Sequence, residues 1–152
     1  MPKASVKRLI ECKKKDLINL VLDIEKYPEF VPFCFDAKIY ENKNEGDLNK
    51  IIADLTIGKG LFKDTYKSDV VFNKKTDTIF VKNIEGPLNH LSNNWIFTDK
   101  KNGITEVTFD IDFEIKNKFL NSLMVVSFQF GLEKIADAFQ KRAEELFNNS
   151  KN

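Results

Sequence analysis

Between residues 106 and 115 apolar and polar residues alternate without a break. Val107, Phe109, Ile111, Phe113 and Ile115 fall on one side of an extended chain, and Glu106, Thr108, Asp110, Asp112 and Glu114 on the other. A period of two fits a strand and no helix. One apolar and one charged face further specify an antiparallel sheet wetted on one side, because parallel strands are covered on both faces. The same pattern recurs upstream. In 48–57, Ile51, Ala53, Leu55 and Ile57 alternate with Ile52, Asp54 and Thr56. In 61–73, Phe62, Tyr66, Val70 and Phe72 share a face, with Lys63, Lys67 and Asp69 opposite. Residues 35–43, 78–85 and 89–99 complete six strands in succession. The turns between them fall at 44–46, at Gly58 and Gly60, which are expected to end the 48–57 strand, and at Gly86-Pro87. Residues 3–12, with Val6, Leu9 and Ile10, read as one more strand.

Two helical regions interrupt this pattern. Leu17, Leu20, Val21 and Ile24 give 14–24 a helical period. A short helix or turn follows over 25–33, with Pro28 suited to its start and Pro32 to its end. The chain closes with a helix over 118–147, for which Asn117 is the expected N-cap. Phe128, Leu132, Ile135, Phe139, Ala143 and Leu146 draw its apolar stripe. Its first half, FLNSLMVVSFQF, is apolar nearly all round and is expected to be the more enclosed. Gly131 costs about 1 kcal/mol relative to alanine in mid-helix and marks close packing or a bend. The order β, α, α, six β, α defines an α+β chain, with one domain expected over 1–148 and a disordered tail at 149–152. About seven antiparallel strands twist and coil, here around the long helix. The space between sheet and helix is filled by side chains or holds a ligand.

The chemistry-bearing residues are few. With 24 basic and 23 acidic residues the chain lacks the field of a nucleic-acid binder, and no DNA partner is expected. Cys12 and Cys34 form no disulfide framework, and with His90 as the lone histidine a metal site lacks ligands. His90 reads as a surface or strand-edge residue. Cys34, in an apolar PFCF context, and Cys12 read as inert thiols. The acidic side of 106–114 reads as a solvated face. Gly58-Lys59-Gly60 is too short for a phosphate loop. Lys13–Lys15 with Lys7 and Arg8 could touch RNA or lipid head groups, but read as a solvated helix start. No catalytic residue is expected. No apolar run reaches the length of a transmembrane helix and the N-terminus lacks a signal-peptide core, so a cytoplasmic setting is expected. What remains is an excess of aromatic residues, including 14 Phe. They suit an ordinary core and an apolar ligand cavity equally.

Four segments carry a family resemblance: DIEKYPEFVPFC at 23–34, FKDTYKSDV at 62–70, IEGPLNHLSNNWIF at 84–97, and FDIDFEIKNKFLNSLM with FQKRAEELF at the end. Over 3–147 the sequence resembles the coenzyme Q-binding START-like proteins of the SRPBCC superfamily, also described as ribosome association toxins or polyketide cyclase-like proteins. The resemblance implies a helix-grip fold. It implies non-catalytic binding of ubiquinone or a similar isoprenoid lipid between sheet and C-terminal helix, in support of respiratory electron transport, with no covalent cofactor. For some bacterial members it implies instead a toxin that binds the large ribosomal subunit and blocks subunit joining. An enzyme of the cyclase type, working through His90 or Asp64, ranks last for want of an acid/base pair.

Carried across residue by residue, Tyr27, Pro28, Phe30, Val31, Pro32 and Cys34 match the motif that shapes one end of the cavity. Phe33 stands where many relatives have tryptophan, which keeps the ring and loses the indole N–H. Phe62, Tyr66 and Ser68 match the middle strand, and Tyr66 or Ser68 would offer a hydroxyl. Pro87, Leu91, Trp95 and Phe97 match the second block, with Leu88 where an aromatic is common. Phe113 from the last strand and Leu123, Val126 and Phe130 from the helix complete the expected lining. An apolar lip near YPEFVPF, with lysines beside it, implies transient contact with a bacterial inner membrane.

Overall fold

The computed structural model describes the backbone of residues 3–59, 62–86 and 88–147, and the side chains of these except 59, 62, 115 and 119–128. The expected tail and Pro87 lie outside these residues. In chain order the elements are β1 (Lys3–Ile10), α1 (Lys14–Leu22), a 3-10 turn (Ile24–Glu29), β2 (Cys34–Glu45), β3 (Leu48–Lys59), β4 (Phe62–Asn73), β5 (Thr78–Glu85), β6 (Leu88–Asp99), β7 (Thr105–Ile115) and α2 (Lys118–Phe147). Seven strands form one antiparallel sheet in the order β1-β7-β6-β5-β4-β3-β2. Thus β2 to β7 are a continuous meander, and β1 returns to pair with β7 (Val6 opposite Phe109).

Two local expectations need correction. β3 does not stop at Gly58. Gly58 pairs with Lys63 of β4, and its N–H donates to the carbonyl of Phe33 at 2.9 Å, so the glycine serves as a docking point within the strand. Pro28 sits inside the 3-10 turn and not at its start. The turn is held by Lys26 N–H to Asp23 O and Phe30 N–H to Tyr27 O, neither of which needs a proton on Pro28.

The apolar halves of the alternating strands face α2 and α1. Ile10, Leu17, Ile51, Ile79 and Leu132 are almost fully enclosed in this core. From α2, Leu132, Phe139 and Ala143 are buried as the stripe expects. Leu146 breaks the expectation: it is 51% exposed, and Phe147 packs against the core instead. The polar side of α2 covers the free edge of β1. Gln129 and Gln140 donate to the carbonyls of Ser5 and Leu9, and Glu144 accepts the N–H of Glu11. These are backbone groups that an edge strand would otherwise leave open to pairing with another chain.

Two residues of the N-terminal basic cluster are paired, while Lys7, Lys13 and Lys15 are exposed. Lys14 lies 2.7 Å from Asp77 and 3.0 Å from Asp99, and Arg8 pairs with Asp137 of α2.

Candidate functional site

The interior between sheet and α2 has two unlike ends. At the first, aromatic rings fill the space. Phe139 of α2 meets Tyr27, Phe30 and Trp95 edge-on, with ring centroids 5.4, 5.1 and 5.2 Å away. Trp95 lies 4.2 Å from Phe109 and is stacked with Phe97. The Tyr27 hydroxyl donates to the carbonyl of Val21, tying the 3-10 turn to α1. Arg142 closes this end, with its guanidinium 5.1 Å from the Phe30 ring and 2.9 Å from Glu29. An enclosed space of about 20 Å³ lies beside Trp95, Phe109 and Phe139, room for about one water. Tyr27, Phe30, Trp95 and Phe97, all expected to line a ligand, are brought together here in close packing.

The other end lies under the first half of α2. Leu91 of β6 and Phe113 of β7 are paired there on the inner face and buried. Tyr66 and Ser68 of β4 face the same interior. Burial raises the Tyr66 pKa above its usual value, the neighbouring Cys34 thiol adds to this, and the adjacent Ser68 hydroxyl acts in the opposite sense. The Tyr27 phenol is raised for the same leading reason, with Tyr66 and Cys34 contributing. Ser68 is 1% exposed, and the polar group beside its hydroxyl is the Tyr66 phenol. On β6, Asn93 Oδ1 is buried without a protein partner. Between them Asn83 of β5 is fully engaged, donating to Leu88 O at 3.2 Å and accepting from Leu91 N–H at 2.9 Å. Gly86 lets the β5 end cross Tyr66: a Cβ there, at φ +139, would stand 2.8 Å from the Tyr66 Cβ.

Phe33 sits at the rim of this end. Its φ of 70 is unusual for a bulky side chain. The turn is held by its carbonyl on Gly58 and by its ring edge, which approaches α2 at Gly131 to 4.0 Å from where a Cβ would be. A Cβ at 131 would meet that ring at ordinary van der Waals distance, so Phe33 leaves room for alanine there. Val31 and Pro32 beside it are half-buried. Phe35 and Phe130 are exposed, the latter 62%, each with a lysine above its ring: Lys63 at 3.9 Å and Lys134 at 4.7 Å. The side chains of Phe62, Leu123 and Val126 fall outside the described residues.

The remaining candidates are placed as follows. Cys12 is buried, and its thiol is pushed up to about 11, first by burial and then by Asp16 and Glu144. Cys34 is raised by burial. A thiol so shifted carries almost no thiolate at neutral pH. His90 lies on β6, half-buried, 3.6 Å from Asp112. Among the described residues no group of three His, Cys, Asp or Glu side chains is placed to hold a metal ion, and no helix is long and apolar enough to cross a membrane. Sequence reasoning missed Asn83 and Asn93. Strand parity could have found both, because each is a polar residue at an inward position of an otherwise apolar row.

A coiled antiparallel sheet laid over one long C-terminal helix, with an apolar interior between them, defines the START-type helix-grip class. Residues 13–140 match the model of the polyketide cyclase/dehydrase and lipid transport family, and the chain belongs to that family. It is 32% identical over 142 residues to the ribosome association toxin RatA of Rickettsia prowazekii, covering 91% of this chain and 94% of that one. It is also 32% identical over 134 residues to the mitochondrial coenzyme Q-binding protein COQ10 of Dictyostelium discoideum, covering 87% of this chain and 64% of that one. The fold matches a START superfamily protein from Mycobacterium smegmatis with a TM-score of 0.81 at 19% identity, over 95% of this chain and 98% of that one. Neither relative's name describes an enzyme.

Proposed function

We propose that this chain binds an isoprenoid quinone or a similar lipid, without turning it over, at the end of the grip under the first half of α2, in support of respiratory electron transport. The observation that carries the reading is the contrast between the two ends. One is packed by aromatic rings around Phe139. The other buries Leu91 and Phe113 alongside the Ser68 hydroxyl and the Asn93 amide, under a helix segment with no charged residue from Phe119 to Leu132. An isoprenoid tail gains about 0.8 kcal/mol for each CH₂ removed from water, and a few polar groups set the head in place. The exposed rings of Phe33, Phe35 and Phe130, with Lys63 and Lys134 beside them, suit transient contact with an anionic membrane leaflet.

The test is organic extraction of the protein purified from its own cells, followed by mass spectrometry. One isoprenoid lipid per chain is expected. Well-folded protein that yields an empty extract defeats the reading. A second reading, binding to the large ribosomal subunit, rests on the Rickettsia relative. The near balance of 24 basic and 23 acidic residues weighs against it, since rRNA binding calls for an excess of basic side chains. Co-sedimentation with large subunits in a sucrose gradient would favour it.

A further inference from the structure

Four of the ten large apolar residues exposed among the described residues lie around one rim: Phe33, Phe35, Ile57 and Phe130. They come from the start of β2, the end of β3 and α2. Cys34, between Phe33 and Phe35, pairs with Ile57, and the Phe33 ring lies against α2 at Gly131, the neighbour of Phe130. Two of the rings are covered. Lys63 Nζ stands 3.9 Å from the centroid of Phe35, and Lys134 Nζ 4.7 Å from that of Phe130. Lys63 belongs to β4 and Phe35 to β2, with β3 between them. The β3 residue opposite Lys63 is Gly58, so no side chain blocks the reach across. Lys134 follows Phe130 by four residues and so lies one helical turn on. Among the described residues neither lysine forms an ion pair; the ring is what each ammonium lies on.

We infer that Lys63 and Lys134 are a cover released by charge, and that the partner of the rim is an anionic lipid leaflet. In water the two ammonium groups lie on Phe35 and Phe130. At the leaflet they pass to lipid phosphates, and the bare rings enter the acyl region. The inference rests on the membrane contact in the lipid-binding reading above and adds its regulation. A cation over an exposed ring is held about 2–5-fold, and an ammonium at an anionic surface gains about fivefold. On an anionic leaflet each ammonium therefore exchanges its ring for a phosphate without loss, and the ring gains hydrocarbon. A neutral leaflet offers the ammonium no such return. A ring that entered with its lysine still on it would carry a charge into hydrocarbon, which is costly. Rings alone would not tell the two leaflets apart, and lysines alone would not enter either. One lysine on each ring couples entry to surface charge.

The experiment uses the full chain with two kinds of vesicle, phosphatidylcholine alone and phosphatidylcholine mixed with phosphatidylglycerol, and reads co-sedimentation. Wild type is expected to bind the anionic vesicles about 25 times more tightly than the neutral ones, fivefold for each lysine. The double variant Lys63→Gln, Lys134→Gln is expected to lose that preference and to gain about 2–5-fold per ring on neutral vesicles, because its rings are already bare. Phe35→Ser with Phe130→Ser is expected to weaken binding to both. Proton NMR then reads the cover itself. The ε-methylene signals of Lys63 and Lys134, moved upfield by the rings beneath them, are expected to return to ordinary positions in anionic bicelles and to stay upfield in neutral ones. Phe35→Ser, which removes the shift from Lys63 alone, identifies its signal. Signals that stay upfield in anionic bicelles holding the protein overturn the cover and leave the lysines as plain anchors. Equal binding to both vesicles, or binding to neither, overturns the anionic leaflet as partner. A lipid in the organic extract leaves the lipid-binding reading standing in each of these cases, and an empty extract defeats that reading separately.

Discussion

Replacing Phe139 by alanine is expected to cost about 3–5 kcal/mol of stability, the usual range for removing a buried phenylalanine. The structure says why the cost should be at the upper side of core substitutions. The ring is 4% exposed, and burying such a side chain contributes about 1.5–3 kcal/mol by area alone. It also makes three edge-to-face contacts, with Tyr27, Phe30 and Trp95, each worth about 0.5–1.5 kcal/mol beyond area. Tyr27 and Phe30 come from the 3-10 turn and its C-terminal end, Trp95 from the middle of the sheet. They therefore cannot collapse together into the space without moving separate elements. For a domain with total stability of about 5–15 kcal/mol this is a large share. Trp95 is the chain's only tryptophan and lies 5.2 Å from the ring, so urea unfolding followed by its fluorescence reads the change directly. Leu146→Ala on the exposed side of the same helix is the control, expected to move stability by less than about 0.5 kcal/mol. Phe139→Ala within about 1 kcal/mol of wild type, at unchanged dependence on urea, would refute the idea that this cluster closes one end of the grip. Where the variant is still folded, it should keep its lipid, because the proposed lipid site is at the other end.

Gly86→Ala is expected to lower Tm by roughly 5–12 °C, because the new Cβ meets the Cα and Cβ of Tyr66 at 2.9 and 2.8 Å and φ is +139; a melt within 2 °C of wild type would show that the β5 end is free to shift. Cys12 has a pKa raised from its ordinary 9.0 to about 11 in the folded chain, so the folded state holds its proton longer than the unfolded state does. Its contribution to stability is then complete below pH 9 and is lost as the pH rises toward 11. Cys12→Ala should therefore lose less stability than wild type across that interval in chemical unfolding at a series of pH values; parallel profiles would contradict it.

Strand alternation was legible because its period is local: each residue of 105–115 reports its face through its neighbours in sequence. What depended on distant partners was not. Gly58 looks like a strand breaker until the carbonyl of Phe33 is seen to need its N–H. Nothing in PFCF announces a phenylalanine at positive φ, since the conformation is set by contacts to β3 and α2. Lys14 and Arg8 read as one basic cluster, yet each is matched by carboxylates more than sixty residues away. The site residues came from the resemblance and not from pattern. Tyr27, Phe30 and Trp95 pack together around Phe139, which no local period announces, because they come from the 3-10 turn and from the sheet. Asn93 was within reach of parity alone, hidden by the larger hydrophobic residues on either side of it.

The placement of β1 beside β7 orders events during synthesis. Residues 3–10 leave the ribosome first, but their partners, 105–112, come about a hundred residues later. Chain closure over so long a loop is slow compared with the neighbouring hairpins from β2 to β7, each of which can zip from its own turn. The outer edge of β1 waits longer still, since Gln129, Gln140 and Glu144 belong to the final helix. Until that helix is complete, Val6 and Ile10 lack its cover, and the outer edge of the strand stays open to pairing with another chain.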